Sequence, residues 1–120
     1  MTKQILKLYH NPRCSKSRTA KQLLEEHGVD ATVIEYLKET PTSNELDALC
    51  KKLSVEPKEI IRSNEKRFKE LGLSMMDSLS RGEWLTILAE NPILIERPIF
   101  VKGNKAVIGR PPENVLALLN

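Results

Sequence analysis

A chain of 120 residues, 40% hydrophobic and 29% charged, has the size and balance of one ordinary globular domain. Its longest clear apolar run, Ile93-Leu94-Ile95, is far too short for a bilayer, so no membrane span is expected. The net charge of +3 is spread over interspersed residues with no Lys/Arg block and 4% aromatics, so direct nucleic-acid binding is not expected either.

Met1-Thr2-Lys3-Gln4 leads straight into a strand, without the apolar stretch of a signal peptide, which points to the cytoplasm. Two cysteines far apart in such a chain suggest a catalytic thiol more than a structural disulfide. Ile5-Leu6-Lys7-Leu8-Tyr9 alternates apolar and polar and reads as the first strand. Thr19 to His27 is rich in helix formers, and Gly28 stops it. Between them, His10-Asn11-Pro12-Arg13-Cys14-Ser15-Lys16-Ser17-Arg18 turns from strand to helix.

Cys14 therefore sits at or just before a helix N-terminus. Free backbone N–H groups and the positive end of the helix dipole favour an anion there. Arg13, Lys16 and Arg18 add cations close by in sequence. Each of these effects lowers a thiol pKa and so produces the nucleophilic thiolate. Free cysteines are more often small buried apolar residues, but Cys14 has no apolar sequence neighbour, and the reactive reading is preferred. His10 either favours the thiolate, as a charge or an acid–base group, or is a solvated loop histidine; the sequence leaves both open.

Ala31 to Leu37 is β-branched and aromatic and reads as a second strand, which completes a right-handed parallel βαβ unit. Thr42 with Glu45 forms a capping box for a helix whose apolar face carries Leu46, Leu49, Cys50 and Leu53. On that face Cys50 reads as a core thiol. Ser54 to Glu59 restarts a helix, and Arg62 follows the apolar pair Ile60-Ile61 in a polar break, a candidate anion ligand. A short helix ends at Gly72, and Ser80 with Glu83 caps another that Asn91-Pro92 terminates. Ile99 to Lys102 and Lys105 to Gly109 form a hairpin around Gly103-Asn104, and a final helix runs from Asn114 to Leu119. Arg97 and Arg110, each followed by proline, flank the base of that hairpin. Two guanidinium groups there would make a preformed clamp for an oxyanion.

The order β-α-β, a helical insertion at about 42–91, then β-β-α is that of a single mixed α/β thioredoxin-like domain. No Walker loop, dinucleotide fingerprint, zinc-type Cys/His cluster or Ser-His-Asp order is present, so neither a metal nor a bound cofactor is expected.

The chain resembles the glutaredoxin-linked arsenate reductases over nearly its whole length. The resemblance rests on Tyr9-His10-Asn11-Pro12 with Cys14 and Ser17-Arg18, on Arg62 after Ile60-Ile61, and on Glu70-Leu71-Gly72-Leu73. It continues through Asn91-Pro92-Ile93-Leu94-Ile95, Arg97-Pro98-Ile99 and Arg110-Pro111. It implies a nucleophilic Cys14, a His10 that helps to activate it, and arsenate held by Arg62, Arg97 and Arg110, with Ser17 and Arg18 also at the substrate. It implies a cis Arg97–Pro98 bond. With Ser17 rather than a second cysteine three residues after Cys14, it implies external glutathione as reductant and glutaredoxin as partner. The efflux-operon members carry a longer C-terminal tail than the one that stops here at Asn120. The phosphatase-like arsenate reductases need Cys-x5-Arg, and Ala20 stands at that position. A monothiol thiol–disulfide oxidoreductase of the same fold and a redox-responsive regulator that binds RNA polymerase are the alternatives.

Overall fold

The computed structural model describes residues 5–119. The expected lead-in at Met1–Gln4 and the chain end at Asn120 lie outside the described residues. Strands β1 (Leu6–His10), β2 (Thr32–Glu35), β3 (Ile99–Lys102) and β4 (Lys105–Ile108) form one sheet of order β2-β1-β3-β4. The chain divides into two compact units, one of Met1–Glu39 with Arg97–Asn120 and one of Thr40–Glu96.

The first unit holds the sheet. β1 and β2 are parallel, with Leu8 opposite Val33, and helix α1 (Ser15–Glu26) makes the crossover between them. β3 runs antiparallel to β1 and β4 antiparallel to β3, so the fold is the mixed thioredoxin-like sheet expected from the order of elements. Leu8 and Phe100 face each other across β1 and β3, and both are buried. α1 places Ala20 and Leu24, four residues apart and hence on one face, against them, and Val115 closes the cluster. Burying each large side chain contributes about 1.5–3 kcal/mol relative to exposure.

Several boundaries differ from expectation, β2 among them, which covers Thr32–Glu35 rather than Ala31 to Leu37. α1 begins at Ser15 rather than Thr19, directly after Cys14. β1 is displaced by one residue, Leu6–His10 rather than Ile5 to Tyr9, and so includes His10. The last segment, Pro112–Leu118, is a 3₁₀ helix and not an α-helix. Its turns close by three-residue bonds, Asn114 N–H to Pro111 and Leu119 N–H to Leu116, and the Asn114 amide is tied back to the Arg110 carbonyl.

The second unit is helical: α2 (Ser43–Leu53), α3 (Lys66–Glu70) and α4 (Arg81–Glu90), with 3₁₀ turns at Pro57–Ile60 and Pro92–Leu94. Both capping boxes form, Thr42 with Glu45 and Ser80 with Glu83. Leu46, Leu49 and Cys50 of α2 and Trp84, Leu85 and Leu88 of α4 are buried. The helix expected from Ser54 to Glu59 is interrupted because Ser54 adopts a left-handed conformation, φ 60°, that ends α2. Arg81 bridges α2 to the following loop through Asp47 and Glu56. Ile61 and Ile95 pair as an isolated antiparallel bridge.

Candidate active site at the end of the central strand

Register decides what meets at the end of the sheet. Tyr9 pairs with Ile99, and Ile99 with Ile108. The end of β1, the start of β3 and the end of β4 are therefore level, and the loops carrying Cys14, Arg97 and Arg110 leave the sheet at one edge. Strand pairing thus brings Cys14 to the same edge as Arg97 and Arg110, which lie more than eighty residues further along the sequence.

Cys14 is the N-cap residue of α1, with extended backbone (φ −95°, ψ 122°), and it is partly exposed. Its N–H donates to the Asn11 carbonyl at 3.0 Å and its carbonyl accepts from Arg18 N–H at 3.0 Å, which fixes the turn. The Asn11 side chain adds a third bond, accepting from Arg13 N–H at 3.0 Å. Nη2 of Arg110 lies 3.9 Å from the Cys14 sulfur. Partial burial pushes the thiol pKa up, but the Ser17 N–H, the Arg97 guanidinium and the Lys16 N–H together outweigh it, so the pKa lies below its ordinary value. The helix N-terminus expected from sequence acts through its own N–H groups. The cation comes from Arg97, from the far end of the chain. Of the sequence-adjacent cations, Arg13 and Lys16 are exposed, and Arg18 donates to the Pro12 carbonyl at 2.9 Å.

Arg97 and Arg110 are tied to each other. Nε of Arg110 donates to the Arg97 carbonyl at 2.8 Å. Both Arg97–Pro98 and Arg110–Pro111 are cis; the first was expected from the resemblance and the second was not anticipated. Gly109, which precedes Arg110, packs against Pro98. Its N–H donates to the Pro98 carbonyl at 2.8 Å, and a Cβ at this position would stand 2.8 Å from Pro98 Cγ.

His10 is not a solvated loop residue: it ends β1 and is 5% exposed. Its Nδ1 lies 2.7 Å from the Ser17 hydroxyl. Burial first, and then the positive charges of Lys21 and Arg18, hold its pKa below the ordinary 6.5, opposed by Glu35 and by the Ser17 backbone. Ser17 is fully buried, and its hydroxyl also accepts from Asn11 N–H at 3.0 Å.

Arg62 belongs to the second unit. Its Nε donates to Glu65 at 3.1 Å and its Nη1 to Glu96 at 2.8 Å, so two carboxylates brace one guanidinium. Sequence reasoning gave no role at the site to those carboxylates, to Asn11 or to Gly109. The Asn-Pro dipeptide is a turn signal that points to Asn11; nothing local distinguishes Gly109, Glu65 or Glu96.

One partly exposed, low-pKa cysteine at the first helix of a thioredoxin-like sheet, with two arginines from the opposite end of the chain beside its sulfur, makes this edge the candidate active site. The ArsC family model matches residues 9–118, and the chain belongs to that arsenate reductase family. It is 42% identical over 113 residues to an arsenate reductase of Haemophilus influenzae, covering 93% of this chain and 97% of that protein. It is 46% identical over 120 residues, 99% of both chains, to the Escherichia coli protein named "Uncharacterized protein YfgD". A solved arsenate reductase of Vibrio cholerae matches with a TM-score of 0.90 at 42% identity, covering 98% of this chain and 99% of that one.

Proposed function

We propose that this protein reduces arsenate to arsenite, with Cys14 as nucleophile, glutathione as reductant and glutaredoxin as the partner that resets it, in the cytoplasm. The observation that carries the reading is the placement of Arg97 and Arg110 at the sulfur of a thiol whose pKa is lowered. An arsenate oxyanion and a thiolate repel each other, and preorganised cations offset that repulsion where charge concentrates during attack. The thiolate attacks arsenic and a hydroxide leaves as water after protonation, giving a Cys14 thioarsenate. Glutathione sulfur then attacks the Cys14 sulfur. The S–As bond breaks with its electron pair left on arsenic, which falls from the +5 to the +3 state and leaves as arsenite. The Cys14–glutathione mixed disulfide passes to a glutaredoxin thiol.

An external thiol is required because Ser17 stands where a resolving cysteine would stand, and Cys50 is buried with its thiol pushed up to about 11 by burial. The family resemblance assigns Arg62 to the same oxyanion, together with Ser17 and Arg18, and assigns His10 to thiol activation. The test is NADPH oxidation coupled through glutathione reductase, with glutathione and glutaredoxin present. Oxidation that requires arsenate and Cys14 supports the reading. Oxidation that proceeds equally with a small disulfide and is indifferent to arsenate would assign the site to thiol–disulfide exchange instead.

A further inference from the structure

The hydroxyl of Ser17 makes two contacts inside the protein, and their donor and acceptor roles can be worked out. The Asn11 N–H, 3.0 Å away, can only donate, so it takes one lone pair of the hydroxyl oxygen. The other neighbour is His10 Nδ1 at 2.7 Å. Ser17 is fully buried, and among the described residues its hydroxyl proton has no other acceptor. An unmade bond at a buried hydroxyl is costly. The arrangement that satisfies all three atoms has Ser17 O–H donating to Nδ1. His10 is then the neutral tautomer with its proton on Nε2.

We propose that Ser17 is a positioning residue, whose hydroxyl latches the neutral His10 ring at the end of β1 to the first turn of α1 and thereby sets the Cys14 loop. The proposal rests on Cys14 as the reactive thiol, and it deepens the assignments of Ser17 and His10. The latch spans the turn from His10 to Ser17. Asn11, whose N–H it holds, accepts the Cys14 N–H on its carbonyl, while Ser17 supplies its own N–H to the sulfur. The hydroxyl thus organises both the carbonyl that positions Cys14 and the N–H that stabilises its thiolate.

This arrangement also limits His10. With Nδ1 occupied as an acceptor and Nε2 already protonated, the ring has no vacant nitrogen to take the thiol proton while the latch is closed. A second proton must go to Nδ1, which removes the acceptor and opens the latch. The groups that bear on that protonation are Lys21 and Arg18 of α1, which oppose it, and Glu35 of β2 and the backbone of Ser17, which favour it.

Two measurements test the latch, and neither uses arsenate, so a failed arsenate assay leaves them unaffected. The first is a long-range ¹H–¹⁵N correlation spectrum of the wild-type protein near neutral pH. His10 is expected to show a protonated Nε2 and a bare, hydrogen-bonded Nδ1. A protonated Nδ1 overturns the proposal whatever the variants do. The second is the pH profile of Cys14 alkylation in Ser17→Ala and Ser17→Thr, with circular dichroism as the folding control. Ser17→Ala is expected to move the thiol pKa up by about one unit, which is tenfold in the thiolate fraction below it. Ser17→Thr, which keeps the hydroxyl, is expected to stay near wild type. A wild-type profile in folded Ser17→Ala, or an equal shift in folded Ser17→Thr, would mean that the hydroxyl does not hold the loop. If either variant fails to fold, the wild-type tautomer decides.

Discussion

Arg110 donates from Nε to the backbone carbonyl of Arg97 at 2.8 Å while its Nη2 lies 3.9 Å from the Cys14 sulfur. One guanidinium therefore fixes the backbone of its neighbouring arginine and presents charge to the thiolate at the same time. The rigid fork of arginine can do both; a lysine ammonium is a point charge on a flexible stem.

That double role predicts the behaviour of Arg110 variants. Arg110→Ala should lower kcat/KM for arsenate by about 10²–10³, or roughly 2.7–4 kcal/mol in the barrier, by analogy with loss of a preorganised oxyanion donor. Arg110→Lys should be impaired less, and Arg97→Ala and Arg97→Lys should follow the same order. Steady-state kinetics with melting temperatures as a folding control check this. Ala variants of both arginines with near-wild-type kcat/KM would remove the clamp.

Arg62 should behave differently in stability. Removing it leaves Glu65 and Glu96, which it holds at 3.1 and 2.8 Å, without their shared cation. The pairs are partly exposed, so solvent screening keeps the loss to about 1 kcal/mol. Arg62→Ala should melt a few degrees lower, and adding Glu96→Gln should recover part of that. Thermal melts of the three proteins test the coupling, and kcat/KM for arsenate in Arg62→Ala and Arg62→Lys separately tests the oxyanion assignment.

The two cysteines should be chemically distinct. Cys14 should alkylate with a midpoint below the ordinary thiol range, and Cys50, buried with its thiol at about 11, should stay unlabelled in the folded protein. Iodoacetamide labelling followed by peptide mass analysis reads both. Cys50→Ser should keep arsenate reduction largely intact; a folded but inactive variant would make Cys50 a resolving thiol. The linkage sign follows from the lowered Cys14 pKa. The unfolded thiol holds its proton at a higher pH than the folded one. The stabilisation is therefore complete above the unfolded thiol pKa and is lost as pH falls through the folded one. Replacing Cys14 by Ser should abolish that part of the stability–pH curve.

Gly109→Ala should be destabilising through crowding. The added Cβ would stand 2.8 Å from Pro98 Cγ and 3.1 Å from Val115 Cγ1, one in a stiff ring and the other in the core. Overpacking of this kind costs typically about 1–3 kcal/mol. Because Pro98 follows Arg97 directly, the rate of Cys14 alkylation should fall as well. A variant with wild-type melting and labelling would show that Pro98 yields without cost.

Much of this protein was determined by local sequence. Alternating Ile5–Tyr9, the helix formers after Cys14, and Thr42 with Glu45 each specify their element through interactions a few residues long, and those elements are present. The helix N-terminus at Cys14 was legible for the same reason, because an N-cap and its free N–H groups are local properties. What tertiary structure decided were the contacts that depend on strand register. The pairing of Tyr9 with Ile99 and of Ile99 with Ile108 brings Arg97 and Arg110 to Cys14, replacing the neighbouring Arg13 and Lys16 as the charges that matter. The sequence left open whether His10 acts on the thiolate or is a solvated loop histidine, and the burial that removes the solvated alternative comes from the fold. The pairing of His10 with Glu35 at the end of β1 places its ring against Ser17, and only a folded sheet can set that register.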